Sequence, residues 1–341
     1  MGASLLFEKM DGVWERLERE AESEGLRSGR KYKRLDLGKE KGFRLSWCLP
    51  EGAIELLIQL DVLGGIKEYE FPEWRGMRFE VLVLDAPRDG TFHLSLKLED
   101  RDLRDVFISL CADLADDLEK FEESTREAEL AAFLERWTRF FERNGFRGLS
   151  PEKQRGLFGE LIWLKSIINE GFGNITSLAA WKGCERAYHD FDLGGHIVEV
   201  KTTMTKEPRK VRISNERQLD DRGLLSLHLF VLSLVKSSGG GQTLQDIVDS
   251  IKKEVSGTPG GIRRFDKSLK SAGYLEVHAH RYTDTYAIRH QELFKVEEGF
   301  PRITDLPAGI GDIKYSLLVS SANKHSVNIE EYLALMKGGK Q

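Results

Sequence analysis

The chain is poor in the features that mark a disulfide-bonded or membrane-anchored protein. It has three cysteines in 341 residues, Cys48, Cys111 and Cys184, and no Cys-x-x-Cys pair, so neither a disulfide framework nor a zinc knuckle is expected. The longest apolar run, 224–235, is broken by polar residues and is too short to cross a bilayer. The first twenty residues turn acidic and amphipathic, unlike a signal peptide. These absences predict a soluble, cytoplasmic protein with no membrane partner.

The chain also lacks a strong excess of charge of either sign. Its 51 basic and 56 acidic side chains leave a net charge of −5, so any contact with a polyanion must come from a local patch. The apolar and glycine content is ordinary for a folded protein, which excludes fibrous and wholly disordered classes. The length predicts two or three domains.

The pattern of helices, strands and breaks predicts three regions. Residues 1–145 are expected to form an α+β domain with four strands, a basic loop at 27–41 and closing helices. Ser150 as an N-cap and Pro151 at the first helical position open a layered region at 146–256. Residues 257–341 begin with a basic helix at 262–272, followed by a hairpin-like stretch at 274–288. This last α+β region is compatible with a winged-helix-like DNA reader or with a plain appendage.

The most informative stretch is 188–203, where two alternating strands flank Gly194-Gly195. Two glycines favour a two-residue hairpin turn, and such a turn determines which residues of the two strands lie opposite each other. Because strand side chains alternate between faces, one face is expected to carry four polar side chains: Asp190, Asp192, Glu199 and Lys201.

In this register Asp190 lies opposite Glu199, with the two Cβ atoms about 5 Å apart. Two carboxylates so close repel each other unless a cation lies between them, and hard oxygen ligands suit Mg²⁺, with Mn²⁺ as a substitute. Lys201, two residues further along, can orient an attacking water or stabilise an oxyanion. These residue types favour metal-assisted phosphodiester hydrolysis. The alternative is a hairpin whose acids and lysine form ordinary salt bridges.

Glu160 is a further acid in an unexpected place. It lies between Leu164 and Ile167 on the apolar side of the helix that begins at Pro151. Burying a lone acid at such a position costs free energy unless the acid has a partner of opposite charge or a hydrogen-bond donor. A metal ion bound by a cluster that includes Glu160 would be such a partner.

Three segments resemble the PD-(D/E)xK nuclease superfamily: Gly159-Glu160-Leu161, His189-Asp190-Phe191 and Ile197-Val198-Glu199-Val200-Lys201-Thr202. More narrowly, they resemble the PD-(D/E)xK proteins that occur with bacterial restriction and phage-defence genes. The resemblance covers about residues 151–219. It implies a restriction-endonuclease-like fold, in which a mixed central sheet is flanked by helices, with the nuclease core at 146–256.

The resemblance also implies a role for each matched residue. Asp190 and Glu199 would be metal ligands, Glu160 the helix acid that helps to hold the metal, and Lys201 the catalytic lysine. His189 stands where the motif has proline, which leaves Asp192 open as an alternative ligand to Asp190.

Basic residues cluster beyond the lysine, with six bases and two acids in residues 201–217. A local excess of this kind suits a phosphate backbone, although a solvated strand edge would look the same. The candidate DNA contacts are Lys206, Arg209, Lys210, Arg212, Ser214 and Gln218. For the last two, an N-cap and a surface amide are the alternative interpretation.

These observations predict a Mg²⁺-dependent DNA endonuclease of restriction–modification or phage defence, similar to type II restriction enzymes. A homodimer is expected because cutting both strands usually takes two active sites, and other defence subunits are possible partners. The alternatives are a catalytically silent PD-(D/E)xK fold that acts as a DNA-binding or assembly subunit, and an interaction protein built on the acidic helices around 113–135.

Overall fold

The computed structural model of the chain describes residues 3–35, 42–60, 70–83, 92–118, 120, 125–185, 187–237 and 239–338. The chain separates into two compact units, Met1–Arg147 and Gly148–Gln341. None of the helices within these ranges combines the length and the apolar character needed to cross a membrane.

The first unit combines helices with a five-stranded antiparallel sheet. In chain order its elements are α1 (Ala3–Ser23), β1 (Gly29–Arg34), β2 (Phe43–Leu49), β3 (Ala53–Leu60), β4 (Met77–Val83), β5 (Phe92–Leu98), α2 (Arg104–Leu118) and α3 (Arg126–Asn144). The strand order is β1-β2-β3-β5-β4. The four strands predicted in this part of the chain, β2 to β5, are confirmed.

Strand β1 lies where the sequence predicted a basic loop, and that prediction is wrong for residues 29–34. All six residues of β1 pair with β2, and Arg30 donates a hydrogen bond to the buried carboxylate of Glu55. The segment has no apolar alternation because it is an edge strand whose side chains are mostly exposed. Backbone pairing therefore holds it in the sheet without a hydrophobic signal in the sequence.

The second unit is built on a mixed five-stranded sheet. In chain order its elements are α4 (Pro151–Glu170), α5 (Asn174–Ala180), β6 (Phe191–Asp192), β7 (His196–Thr203), β8 (Lys210–Ile213), β9 (Ser226–Lys236), α6 (Leu244–Val255), α7 (Gly261–Ser271), β10 (Tyr286–Val296), β11 (Tyr315–Leu318), β12 (Ser326–Val327) and α8 (Ile329–Gly338). The order in the central sheet is β12-β10-β9-β7-β6, and β8 pairs separately with β11. Strands β7 and β9 are parallel, and the other neighbours are antiparallel. The predicted mixed central sheet with flanking helices is confirmed.

The two faces of strand β7 enter two different cores. Val198 and Val200 belong to the core that contains α4, α6 and α7, whereas Ile197 joins the core formed with β8 and β11. Helix α4 begins as the sequence predicts, because the Ser150 side chain accepts a hydrogen bond from the Lys153 amide. The sheet is thus covered by helices on one face and by a small two-stranded layer on the other.

Helix α4 approaches β7 closely at Gly159. A Cβ at this position would lie 2.4 Å from Cγ2 of Thr202 and 3.3 Å from Cγ1 of Val200. The absence of a side chain therefore lets α4 pack against the strand, and it sets the distance between Glu160 and that strand.

The hairpin predicted at 274–288 is wrong. Residues Glu276–Arg281 form a 3-10 helix, and β10 then runs as one long strand paired with β9. In the described residues after 257, the chain completes the central sheet with β10 and β12, which differs from the separate winged helix considered from the sequence. The long strand β10 was missed because it is specified by its pairing with β9, which lies far away in the sequence. Helices α5 and α8 were also not predicted.

The approach at Gly159 leads to a stability prediction. Gly159→Ala should lower the free energy of unfolding by about 1–3 kcal/mol, because the new methyl group overpacks against Thr202. Gly156→Ala on the same helix is the matched control. Nothing lies within 4 Å of its Cβ position, so it should raise the free energy of unfolding by up to about 1 kcal/mol.

Urea denaturation of both variants measures the effect. Adding Thr202→Ser to Gly159→Ala removes the methyl group that clashes and should restore part of the lost stability. Equal stabilisation by the two alanine variants would show that α4 does not depend on the close approach at Gly159.

Candidate active site

Asp190 lies at the edge of the central sheet, directly before the short edge strand β6. The predicted hairpin register is confirmed, since Phe191 pairs with Val198 and Asp192 with Ile197. Strand β6 begins only at the next residue, Phe191, and Oδ2 of Asp190 accepts a hydrogen bond from the Val200 amide at 2.8 Å. The Asp190 carboxylate therefore occupies the place that a strand carbonyl would take in a longer hairpin.

Backbone contacts fix Asp190 from its other side. Its carbonyl oxygen accepts hydrogen bonds from the amides of Lys182 at 2.7 Å and Gly183 at 2.9 Å. Asp192, the alternative ligand, is exposed and accepts a hydrogen bond from the Gly195 amide at 2.7 Å, so its carboxylate stabilises the hairpin turn. Of the two acids, the structure brings Asp190 towards the other site residues.

Glu199 and Lys201 form a buried ion pair on β7. Glu199 is 1% exposed, and Nζ of Lys201 donates to its Oε1 at 2.6 Å. The second oxygen, Oε2, is buried and has no hydrogen-bond partner among the described residues. Buried carboxylate oxygens are normally satisfied, so Glu199 has capacity for one more positive or donating group.

Glu160 reaches the same place from α4. Its Oε2 accepts a hydrogen bond from Nε1 of Trp181 at 2.7 Å. A Cβ at Gly183 would lie 2.8 Å from this oxygen and 2.8 Å from Oδ1 of Asp190. The two carboxylates therefore face one small space, and a glycine at 183 keeps that space open.

Burial and mutual repulsion raise the pKa values of the acids in this site. Burial, followed by the charge of Asp190, raises the pKa of Glu160 to about 8. The same two causes raise the pKa of Glu199 to about 8, although Lys201 opposes them. Burial also raises the pKa of Asp190. One buried and two half-buried acids thus lie near the Lys201 ammonium, so among these four residues negative groups outnumber positive ones.

The donor types fit a hard divalent cation. Three carboxylates, one with an unsatisfied oxygen, are the ligands that Mg²⁺ and Mn²⁺ prefer. However, within the described ranges no group of three or more acidic, histidine or cysteine side chains is already arranged as a metal-binding set. Instead, the Lys201 ammonium neutralises part of the charge of Glu199. A cation would therefore need the Glu199 side chain to share its carboxylate between Lys201 and the ion.

Trp181 and Gly183 are site residues that the sequence did not indicate. They lie between α5 and β6, in a segment with no helical or strand periodicity. Trp181 orients Glu160, and the Gly183 amide holds Asp190. No pattern in the sequence distinguishes an indole that binds a carboxylate from one that only fills the core.

The predicted DNA contacts separate into exposed and internally bound side chains. Lys206, Lys210 and Arg212 are exposed, the last two on the outer face of β8. Arg209 forms hydrogen bonds with both carboxylate oxygens of Glu292 and a third with Ser233 at 3.1 Å.

Ser214 and Gln218 form a local turn. The Ser214 amide donates to Oε1 of Gln218 at 2.9 Å, so this side-chain oxygen is already engaged. DNA contact by any of the six residues stays a prediction.

Taken together, the mixed sheet, the acid on the flanking helix and the Asp190, Glu199 and Lys201 constellation define a nuclease-like PD-(D/E)xK fold. A family model described as "Putative PD-(D/E)XK family member, (DUF4420)" matches residues 10–320, and the chain belongs to this family. Comparison with curated proteins and with solved structures gave no significant match. The matched range extends into the first unit, whereas the resemblance seen in the sequence covered only about 151–219.

From the raised pKa values of these acids we predict that the stability of the protein falls as the pH rises. In the unfolded chain Glu160 titrates near 4.5 and in the folded protein near 8, so the folded state holds a proton between these values. Stability in EDTA should therefore fall as the pH rises from about 5 to about 8, on the order of 1 kcal/mol per pH unit for each such acid. Glu160→Gln should reduce this slope, and it retains an acceptor for Trp181.

Urea denaturation between pH 5.5 and pH 8 measures the slope. Glu254→Gln, which alters an exposed acid on α6, is the control and should follow the wild type. Parallel curves for Glu160→Gln and the wild type would show that Glu160 is ionised throughout this range.

Proposed function

We propose that this chain is a metal-dependent endonuclease that hydrolyses phosphodiester bonds in DNA. The observation that carries the proposal is the meeting of Glu160, Asp190, Glu199 and Lys201 at one sheet edge, where the acids are close enough to raise one another's pKa values. Such repulsion is costly for a scaffold and useful for a site that binds a cation and a phosphate. Membership of a PD-(D/E)XK family supports the same chemistry.

Asp190, Glu199 and Glu160 are the residues that would hold the cation. When bound, Mg²⁺, or Mn²⁺ in its place, supplies a Lewis acid that polarises a phosphate oxygen. The Trp181 indole keeps Glu160 turned towards Asp190, and the Val200 amide keeps Asp190 at the strand edge. Positive charge near these acids also favours their ionised forms, against the burial that raises the pKa values of Glu160 and Glu199.

Lys201 is the protein's own positive charge at this site. Burial lowers its pKa, but Glu199 and Asp190 outweigh burial and raise the pKa above the usual value, so the ammonium stays charged at neutral pH. The hydrogen bond to Glu199 fixes its direction. In this position Lys201 stabilises the negative charge that develops on the phosphate and orients an attacking water.

The substrate surface proposed for the DNA backbone is the set Lys206, Lys210 and Arg212. These exposed bases lie on β8 and on the loop between β7 and β8, which follows directly after the strand of Lys201. Arg209 is excluded from this set because Glu292 and Glu207 already neutralise it.

A catalytically silent protein that binds DNA or assembles with other subunits is the second candidate. The Lys201–Glu199 pair favours it, because a salt bridge compensates a carboxylate that a nuclease would present to metal. The two candidates differ in one measurable property, which is metal-dependent cleavage.

The proposed biological setting is bacterial restriction or phage defence in the cytoplasm, with activity of the type II restriction class. All three cysteines are buried, and none forms a disulfide within the described residues, which suits a reducing compartment. We further propose a homodimer, because two active sites cut both strands of a duplex, and a role for other defence subunits as partners. The basic helix α7 is a second candidate for contact with DNA.

Lys201→Ala tests the enzyme proposal. Wild-type protein should cleave plasmid DNA with Mg²⁺ or Mn²⁺ and not with EDTA. The variant should cleave about 100-fold to 1000-fold more slowly, because it loses the charge that stabilises the transition state. Lys201→Arg should not restore the rate, since a planar guanidinium does not replace a compact ammonium. Lys253→Ala, an exposed lysine on α6, is the control.

Thermal unfolding with Mn²⁺ separates loss of chemistry from loss of metal. The rise in Tm caused by the ion should persist in Lys201→Ala and disappear in Asp190→Asn, which retains an acceptor for the Val200 amide. Binding of DNA and Mn²⁺ without any cleavage by the wild type would favour the silent protein.

The DNA surface makes a separate prediction. Replacing Lys206, Lys210 and Arg212 with alanine should lower the slope of log K against log[salt] by about 2.7, from three phosphate contacts. Arg209→Ala should leave the slope unchanged and lower stability instead, because it removes the partner of Glu292. An unchanged slope in the triple variant would place the DNA elsewhere, with α7 as the next candidate.

A further inference from the structure

A cleft opens beside the candidate active site. Its volume is about 540 Å³, which is within the range of small-molecule sites. The lining residues come from three stretches of chain, at 188–189, 216–224 and 304–306. Tyr188 and His189 directly precede Asp190, so the wall of the cleft and the acidic cluster are continuous along the backbone.

Tyr188 presents an exposed aromatic ring in this cleft. Tyr188 is 62% exposed, which is unusual for a tyrosine in a folded unit. The guanidinium of Arg217 lies 5.0 Å from the ring centroid and donates a hydrogen bond to the Tyr188 hydroxyl at 2.5 Å. Arg217 thus favours one orientation of the ring, and most of the tyrosine surface stays accessible. An accessible ring beside an arginine is an arrangement on which nucleobases stack.

The charges of the lining select against a phosphate as the occupant. Two arginines face three acids, Glu216, Asp220 and Asp305, so the cleft has no positive excess. Arg222 is held by three contacts with Asp220 between 2.5 and 3.0 Å. Guanidinium donors and carboxylate acceptors around an aromatic ring suit a neutral planar ligand that carries both donors and acceptors. A nucleobase has these properties.

The distance from Asp190 limits which base can enter. One residue spans at most about 3.6 Å, so the Cα of Tyr188 lies within about 7 Å of the Cα of Asp190. Successive nucleotides in a stacked strand are about 3.4 Å apart along the axis. Allowing for the length of the tyrosine side chain, a base on the Tyr188 ring belongs to a nucleotide within a few steps of a phosphate at Asp190, and it must leave the helical stack to meet the ring.

We propose that the cleft of Tyr188 and Arg217 binds one unstacked nucleobase close to the phosphate that is cleaved. The preferred substrate is then duplex DNA in which one nucleotide near the cutting position leaves the stack, which costs least at a mismatched or unpaired base. This inference rests on the proposed nuclease function and specifies the class of its substrate. Tyr188 contacts the base and determines specificity, while Arg217 positions Tyr188.

The test compares two labelled strands of about 12 nucleotides, an oligothymidylate and an equally long strand of abasic sugar phosphates. Fluorescence anisotropy is measured with Ca²⁺ in place of Mg²⁺. Wild-type protein should bind the oligothymidylate about 5-fold to 150-fold more tightly, which corresponds to stacking of one base. Tyr188→Leu should bind both strands equally, and Tyr188→Phe should keep most of the preference. Leu335→Ala, which alters a side chain that is 70% exposed on α8, is the matched control.

Plasmid cleavage by the same preparations separates the two proposals. If the wild type cleaves DNA but Tyr188→Leu retains the preference for bases, the cleft proposal is overturned and the nuclease stands. If the preference for the oligothymidylate depends on Tyr188 while no preparation cleaves DNA, base binding is supported and the proposal of a nuclease is rejected. Binding of thymidine monophosphate that depends on Tyr188, with no preference between the two strands, would overturn the cleft as a site for a DNA strand.

Discussion

The crowding of three acids beside one lysine is the interaction on which the second unit depends. Asp190, Glu199 and Glu160 come from three parts of the chain, and Lys201 offsets part of their charge. Holding them together needs several directed contacts, which the Val200 amide and the Trp181 indole supply. The strain of this arrangement is electrostatic, so a cation or a shared proton relieves it without moving the backbone.

The same constraint explains why the sheet is irregular here. Strand β6 has two residues and begins only after Asp190, so the Asp190 side chain takes the place of a backbone partner for β7. On the helix side, Gly159 allows α4 to approach β7, and this approach brings Glu160 to the edge. Fold and site are therefore coupled, because the positions that shape the packing also set the distances between the acids.

The surroundings of the site divide into a basic surface and a mixed cleft. Lys206, Lys210 and Arg212 are exposed, whereas Arg209 links the loop after β7 to β10. Tyr188, two residues before Asp190, and Arg217 form a cation–π pair in a cleft with little net charge.

The parts of the structure that rest on local interactions were predictable from the sequence. The Gly194-Gly195 turn sets the pairs of the hairpin, and Ser150 with Pro151 sets the start of α4, because each acts within a few residues.

The parts that rest on distant partners could be seen only in the folded protein. Arg209 meets Glu292 across 83 residues, and Trp181 meets Glu160 through the packing of α4. Strand β10 is specified by β9, and the basic strand β1 by its backbone pairing with β2 and by the ion pair of Arg30 with Glu55. These contacts depend on how close elements approach in space, and side-chain periodicity carries no information about that distance.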